Sequence, residues 1–596
     1  MNTQDIYITK EDKYLSPNVL PIIPSNVILN KTLPGLGATY SEIEVAKRHS
    51  IIIEPNVPVI LGKKEQHKNI LGVYEGVYTS DIVSYLKIPC KYYKILTTPE
   101  SFHKVKKAIV QVGLNLYTDF FLLYDECQRI IQDVEYRAAM TFPMEDFFKF
   151  ANKAFVSATP IIPKDPSFDA NKFSIINIVP QYDYREKINL ITTNDILGRI
   201  REVIRKTDNE HICFFLNSTD TIQAIIKSLR IENESSVFCA KESKIKLEAR
   251  NMKNVYEMVT PSRMKKFSFF TSRFFAAVDI LLDYKPDVIL VTDLFYAEHS
   301  MLDPYTESIQ IIGRFRHGIR QVTHISNINK YLIFKTEEEI CTSLIGWREA
   351  YRSLQTLYNN TTNPDSRFLL MEAMKLVSYN RFINPDGTEN FYAIDNYIDE
   401  ETIKSYYSDY EELLYAYMHS QFFFVNHIHI EMPLGDIERL KRERNTVNQK
   451  DLRKELIRQL SILETEKDSF PLDEYEQLRR EFLLEDPFIV KAYDLLGKET
   501  LEELNYSEKQ IKEEMIKRDF FKNRKGLEFM EAVFNFFDVG EKYTLESIKE
   551  NMIRLHKDFE VPVKWKPTAK RINDFFVTQE CYKGKQRALK IVRRLI

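Results

Sequence analysis

Glycine is scarce in this chain, 16 in 596 residues, and cysteine is scarcer still. The six cysteines (90, 127, 213, 239, 341 and 581) form no C-x-x-C pair, which argues against a disulfide framework and against a zinc site. No apolar run approaches ~18 residues, so no transmembrane helix is expected. The opening MNTQDIYITKEDKY is polar and lacks the apolar stretch of a signal peptide; an intracellular, cytoplasmic protein is expected. Charge of one sign is also missing: 83 Lys and Arg against 86 Asp and Glu leave a net −3. Any nucleic-acid contact must therefore come from local patches.

What is present is ordinary for a globular protein: 44% hydrophobic and 28% charged residues. The length predicts roughly three or four domains. The most telling stretch is FFLLYDECQ, residues 120–128. Its unbroken apolar run reads as a strand buried on both faces of a parallel α/β sheet. Ligands in such sheets bind just beyond the carboxyl ends of the strands. Asp125 and Glu126 stand there, able to hold a hydrated Mg²⁺ and to orient a water, as in a nucleotide hydrolase.

Around this strand, residues 1–165 alternate strand and helix. Val27 to Leu29 read as a strand and Tyr40 to Arg48 as a helix, joined by a turn containing Pro34, Gly35 and Gly37. Such a turn can offer backbone N–H groups to a phosphate. Against the pattern GxxxxGK[ST], Gly37 and Thr39 fit, but Ala38 stands where the lysine belongs and Thr32 where the first glycine does. Lys31, six residues before Gly37, can reach the phosphates from the other side of the loop. IIIEPNVPVILG (51–62) reads as a strand ended by Pro55, KYYKILTTPESF (91–102) as a strand ending at Thr97 and Thr98 before a helix, and KAFVSATP (153–160) as another buried strand. Residues 180–336 repeat the alternation through KINLITT, HICFFLNST, SSVFCA, FSFFTSRFFAAVDI and DVILVTD, closing on a helical SIQIIGRFRHG (308–318). A second parallel sheet follows from this.

Taken in order, the segments GLGAT, IIIEPN, TTPES, YDECQ, VSAT, CFFLNST, FTSRFFAAVDI and QIIGRFR resemble the successive motifs of superfamily 2 helicases of the DEAD/DEAH-like group. The resemblance implies two tandem RecA-like parallel-sheet domains (1–165 and 180–336), followed by a mostly α-helical C-terminal region. It implies ATP and Mg²⁺ as cofactors, with Gly35 to Thr39 cradling phosphates, Thr39 and Asp125 holding the metal, and Glu126 activating water. Ser157 and Thr159 would couple nucleotide state to domain closure. Gln310, Arg314 and Arg316 would reach across the cleft, one arginine acting as a finger worth roughly 10³–10⁵ in rate. Thr98, Thr219 and Thr271 would touch the backbone of a single strand. Three departures stand out: Ala38 replaces the loop lysine, Arg316 comes one residue early, and Ala276 or Ala277 takes a customary glycine's place. Two readings stay open: an ATP-dependent helicase or translocase, and a hydrolysis-deficient scaffold of the same fold that binds nucleotide or DNA.

Beyond residue 337 the sequence turns helical and charged, a helical accessory region to 540. Trp347, Tyr351, Leu354 and Tyr358 fall at helical spacing as a packing stripe, and 436–468 reads as a solvated helical hairpin or arm. Residues 541–596 read as a small basic helical, winged-helix-like unit. Its Lys583, Lys585 and Arg587, with Lys570, Arg571, Lys590, Arg593 and Arg594, would contact phosphates. On that ground DNA is favoured over RNA as the partner. Few glycines beside many Lys, Ile and Asn suit an AT-rich genome such as that of a phage or mobile element; for a phage the location is the host cytoplasm.

Overall fold

The structure is a computed structural model that describes residues 1–276, 278–436, 449–522 and 524–595; Ala277 and most of the proposed arm's first third lie outside the described residues. Two compact units divide it, Met1–Glu431 and Met432–Ile596.

The first unit holds two eight-stranded sheets. Strands β1 (Asn2–Ile8), β2 (Val27–Asn30), β3 (His49–Ile53), β4 (Leu71–Val73), β5 (Lys94–Thr97), β6 (Phe120–Asp125), β7 (Asn152–Ser157) and β8 (Ser174–Pro180) form one, in the order β1-β8-β2-β7-β6-β3-β5-β4. All its pairings are parallel. The period of two explains the apolar run at its centre. Phe120, Leu122 and Tyr124 of β6 enter the core on one face, while Phe121 and Leu123 enter the core on the other. The first domain takes its last strand, β8, from beyond residue 165, since Val27 and its neighbours need a partner on their free edge.

The second sheet comprises β9 (Glu186–Thr193), β10 (Ile212–Phe215), β11 (Ser235–Phe238), β12 (Val255–Tyr256), β13 (Phe267–Phe270), β14 (Asp287–Thr292), β15 (Gln321–Ser326) and β16 (Phe423–Ile430). Its order is β12-β11-β13-β10-β14-β15-β9-β16. In β14, Val288 and Leu290 face one core, Ile289 and Val291 the other. The strand β16 comes from the stretch read as helical. It pairs in parallel with β9 along its whole length and covers that strand's open edge. Both sheets thus carry helices on their faces, and the architecture is two RecA-like domains with a largely helical remainder.

Three local readings change. The helix after the first loop runs only from Ala38 to Tyr40, continues as a π-turn over Ser41–Val45, and stops. The buried Lys94 ammonium ends it by donating to the carbonyls of Glu42 (2.5 Å) and Ala46 (3.0 Å). Residues 57–62, read with the strand before them, are helical: Asn56 caps the helix Val57–Gln66, with Pro58 in its first turn. The helix Glu307–Ile312 ends before Gly313, so Arg314 and Arg316 lie in the turn beyond it.

The helix Glu337–Asn360 follows, with Tyr351 buried against Tyr379 and Phe382. In the second unit, helices lead to a three-stranded antiparallel sheet of β17 (Lys542–Thr544), β18 (Phe576–Lys583) and β19 (Gln586–Arg594), ordered β17-β19-β18. Among the described residues, no helix is long and apolar enough to cross a membrane.

One buried group sets a pH limit on the first unit. His324 on β15 is fully buried between the Tyr417 hydroxyl (2.8 Å) and the Thr292 hydroxyl (3.0 Å). Burial pushes its pKa down to about 3. Because the folded pKa lies below the unfolded one, the unfolded chain binds the extra proton, and stability falls as pH drops below about 6.5. The expected loss is about 1.4 kcal/mol per pH unit. Urea unfolding between about pH 7 and pH 5 should show this slope in the wild type and a shallower one in His324→Gln; equal slopes would contradict it.

Candidate functional site

The registers of the first sheet decide which residues meet at its carboxyl edge. Asn30 pairs with Ser157, Asp125 with Val156, and Tyr124 with Ile53. The residues that leave those strands therefore stand in one row: Lys31 after β2, Glu126 after β6 and Glu54 after β3. The strands β2 and β6 are two apart in the sheet, about 10 Å. The loop 31–39 closes that gap.

Its backbone is left-handed at Thr32, Gly35 and Gly37, with φ of 59°, 86° and 77°. The φ at Gly35 favours glycine, and the Arg316 guanidinium lies over it, 2.4 Å from where a Cβ would stand. The loop carries Thr39 to Asp125, whose Oδ2 accepts a hydrogen bond from the Thr39 hydroxyl. The same Oδ2 accepts from Lys63 Nζ at 3.0 Å, and Lys63 also donates to Glu54 at 2.5 Å. Burial works to raise the Asp125 pKa, but the Lys63 and Lys31 ammoniums and the Thr39 hydroxyl outweigh it and hold it well below the usual range. Burial pushes Glu54 up to about 8, against the pull of Lys63.

Glu126 sits at φ 49°, a left-handed turn that swings it off the strand axis toward the second domain. Its Oε2 accepts from Gln310 Nε2 at 3.0 Å, and from Ser157 and Gln128 at 3.3 Å each. Gln310 reaches it from the helix Glu307–Ile312 and also donates to the Thr159 hydroxyl at 3.0 Å. The Gln310 side-chain oxygen accepts from Arg314 at 2.9 Å, and Arg314 lies 3.9 Å from Glu126 Oε1. Burial works to lower the Arg314 pKa, with Glu126 opposing. Arg316 stands over Gly35 and pairs with Asp279 at 2.6 Å. Lys31 is a buried residue whose Nζ lies 4.0 Å from Glu126 Oε1.

The sequence candidates Lys31, Gly35, Gly37, Ala38, Thr39, Asp125, Glu126, Arg314 and Arg316 all line one cleft of ≈ 1370 Å³ between the two domains. Ser157, Thr159 and Gln310 are bonded to its wall. The structure does not bring the nucleic-acid candidates into it. Thr98 and Thr271 follow β5 and β13 and are buried, and the Thr271 hydroxyl is 3.4 Å from the Phe238 carbonyl. Thr219 opens the helix capped by Ser218. Lys583, Lys585 and Arg587 are exposed around the β18–β19 turn of the second unit, and Lys583 bonds the Lys542 carbonyl at 2.9 Å. Arg571 is paired with Glu513 at 3.1 Å.

Sequence reasoning missed Lys63 and Glu54. The signal was available: Asn56 followed by Pro58 is a helix start, and it places Lys63 one turn from the end of a helix that leaves the carboxyl edge. It also missed Asp279, which has no local signature.

The donor chemistry suits a hydrated magnesium ion with a nucleotide. Asp125 and Thr39 offer hard oxygens side by side. Among the described residues no three His, Cys, Asp or Glu side chains group as a metal cage, so an ion here would depend on these two, water and the ligand's own phosphates.

No protein-family model matches the chain, and no curated protein is similar to it in sequence. Solved structures are similar in part. A Mycobacterium smegmatis helicase Lhr, bound to ssDNA and AMP-PNP, is 13% identical with a TM-score of 0.33, over 51% of this chain and 44% of that one. S. cerevisiae Dbp5, bound to RNA and ADP BeF3, is 15% identical with a TM-score of 0.35, over 53% and 81%. A DEAD box protein from Methanococcus jannaschii is 15% identical with a TM-score of 0.29, over 51% and 82%. The chain thus spans under half the length of the Lhr chain. The strand order and the cleft define a fold of two RecA-like domains.

The closeness of the two domains can be tested at Gly313. A Cβ there would lie 2.2 Å from Pro34 Cβ and 2.4 Å from its Cγ. Gly313→Val is expected to weaken docking of the second sheet on the first by about 1–3 kcal/mol, read as an earlier thermal transition. Gly346→Ala, whose Cβ meets nothing within 4 Å, serves as control. An unchanged Gly313→Val transition would show that the domains do not pack this way.

Proposed function

We propose that the protein is an ATP-dependent nucleic-acid motor, a helicase or translocase that hydrolyses ATP in the cleft between its two RecA-like domains. The observation that carries this reading is Glu126: a carboxylate beside the Thr39–Asp125 pair, aimed by a glutamine of the other domain. Mg²⁺–ATP, when bound, supplies the scissile phosphoanhydride and the charge neutralisation at its phosphates. Thr39 and Asp125 would hold the metal, and the backbone from Gly35 to Thr39 would cradle phosphates. Glu126 would orient a water and accept its proton. Ser157 and Gln310 keep that carboxylate in one orientation, and Gln310 ties it to Thr159. Arg316 over Gly35 and Arg314 beside Glu126 would bring positive charge from the second domain when the cleft is closed.

Gln310 holds Arg314 within the second domain and itself bonds Glu126 and Thr159 of the first, so closing the cleft would bring the glutamine and the arginine to the acid together. This supports a cycle in which nucleic acid, by favouring the closed arrangement, stimulates turnover. Thr98, Thr219 and Thr271 would contact the nucleic-acid backbone after rearrangement, and the basic turn of Lys583, Lys585 and Arg587 would offer further phosphate contacts.

Steady-state ATP hydrolysis with single-stranded DNA, single-stranded RNA and neither tests the reading. Stimulation by a nucleic acid is expected, and Glu126→Gln should reduce turnover by about 10²–10⁴-fold while leaving ATP binding intact. A wild type that binds ATP but stays silent with both nucleic acids would make the protein a nucleotide-binding scaffold of this fold.

A further inference from the structure

The loop that meets Asp125 lacks its ammonium, because Ala38 occupies the lysine's place. Ala38 is 1% exposed and belongs to the apolar core behind the loop, with Leu36 and Ile43. Three lysines line the cleft, the exposed Lys13 and the less accessible Lys31 and Lys63, and the surroundings of the last two differ.

Lys63 is satisfied. It donates to Glu54 at 2.5 Å and to Asp125 at 3.0 Å, and without it both buried carboxylates would lose their nearest cation. Lys31 is not. Its side chain is 8% exposed, yet its Nζ makes no hydrogen bond to any described residue, and its nearest carboxylate oxygen lies 4.0 Å away. An ammonium on the wall of a cleft with no hydrogen-bond acceptor of its own is open to the anionic oxygens of a ligand. The backbone directs it inward. Lys31 N–H is anchored to the Ser157 carbonyl at 2.8 Å, and the Leu33 N–H turns back onto the Lys31 carbonyl at 2.6 Å through the left-handed Thr32. Thr32 N–H is in turn held by the Asn30 side chain at 3.0 Å. Lys31 is therefore fixed at the entrance of the loop, facing the same cleft as Thr39 at its exit.

We infer that Lys31 supplies the phosphate-binding ammonium that Ala38 cannot, so that the phosphate loop takes its cation from its first residue. Lys63 is a positioning residue that holds Asp125 and Glu54. This rests on the nucleotide reading of the cleft and names the residue that makes it work without the usual lysine.

The test is equilibrium binding of AMP-PNP and of AMP, each with Mg²⁺, to the full chain, with thermal unfolding of the free protein alongside. Lys31→Met is expected to weaken AMP-PNP about 10- to 100-fold, the worth of charged hydrogen bonds. It should leave AMP affinity unchanged and should lower the Tm less than Lys63→Met does, since Lys31 has only its 4.0 Å ion pair with Glu126 to lose, and no hydrogen bond. Lys31→Arg should recover part of the AMP-PNP affinity. Lys63→Met should lower the Tm. Equal AMP-PNP affinity in Lys31→Met and wild type overturns the assignment, as does a lowered Tm with an equal loss for both nucleotides, which marks Lys31 as structural. Loss in Lys63→Met but not in Lys31→Met passes the role to Lys63. A wild type that binds no AMP-PNP overturns the nucleotide reading itself, an outcome distinct from all of these.

Discussion

One side chain ties the two domains to each other and to the acids. Gln310, on a helix of the second domain, gives its amide N–H groups to Glu126 and Thr159 of the first, and accepts from Arg314. A neutral amide suits this task because it donates on one side and accepts on the other. It can therefore join a carboxylate to a guanidinium without adding charge. Withdraw the second sheet and Glu126 keeps only Ser157 and Gln128, at longer range, while Arg314 keeps its bonds to Gln310 but loses its approach to Glu126. The close approaches of Gly313 to Pro34 and of Gly35 to Arg316 are what allow so short a bridge.

Charge in the cleft is concentrated and costly. Three carboxylates, Glu54, Asp125 and Glu126, meet three cations, Lys31, Lys63 and Arg314, with little access to water. Buried ion pairs rarely repay their desolvation, and an apolar cleft of the same shape would be as stable or more so. Such a concentration of charge at the carboxyl ends of parallel strands belongs to ligand chemistry more than to folding. The core supplies the stability instead, through sheets whose central strands are apolar on both faces.

The alternation of buried strands and helices was legible, and the two parallel sheets with a helical remainder follow from it. The unbroken run of β6 and that of β14 are diagnostic, because only a strand covered on both faces can afford neither polar face. What was not legible depended on distant partners. The helix after Ala38 has an ordinary helical sequence, yet Lys94 of another strand stops it within two turns. The strand β16 has an alternating pattern, but its place in the second sheet depends on the open edge of β9, more than 200 residues earlier. Residues 57–62 were apolar enough to pass for strand; the cap at Asn56 and Pro58 was the better guide, and ignoring it concealed Lys63. The short hairpin β18–β19 hid in a Lys- and Arg-rich stretch because its outward faces are polar.

The account turns on the Glu126–Gln310 bridge coupling the domains. A double-mutant cycle of Glu126→Ala and Gln310→Ala, read as the unfolding free energy of the nucleotide-free protein, measures it directly. Residues in one network couple by about 0.5–3 kcal/mol, and a coupling of about 1 kcal/mol or more is predicted here. Strictly additive losses would mean that the two residues act independently, and that the second domain does not set the geometry of the acid.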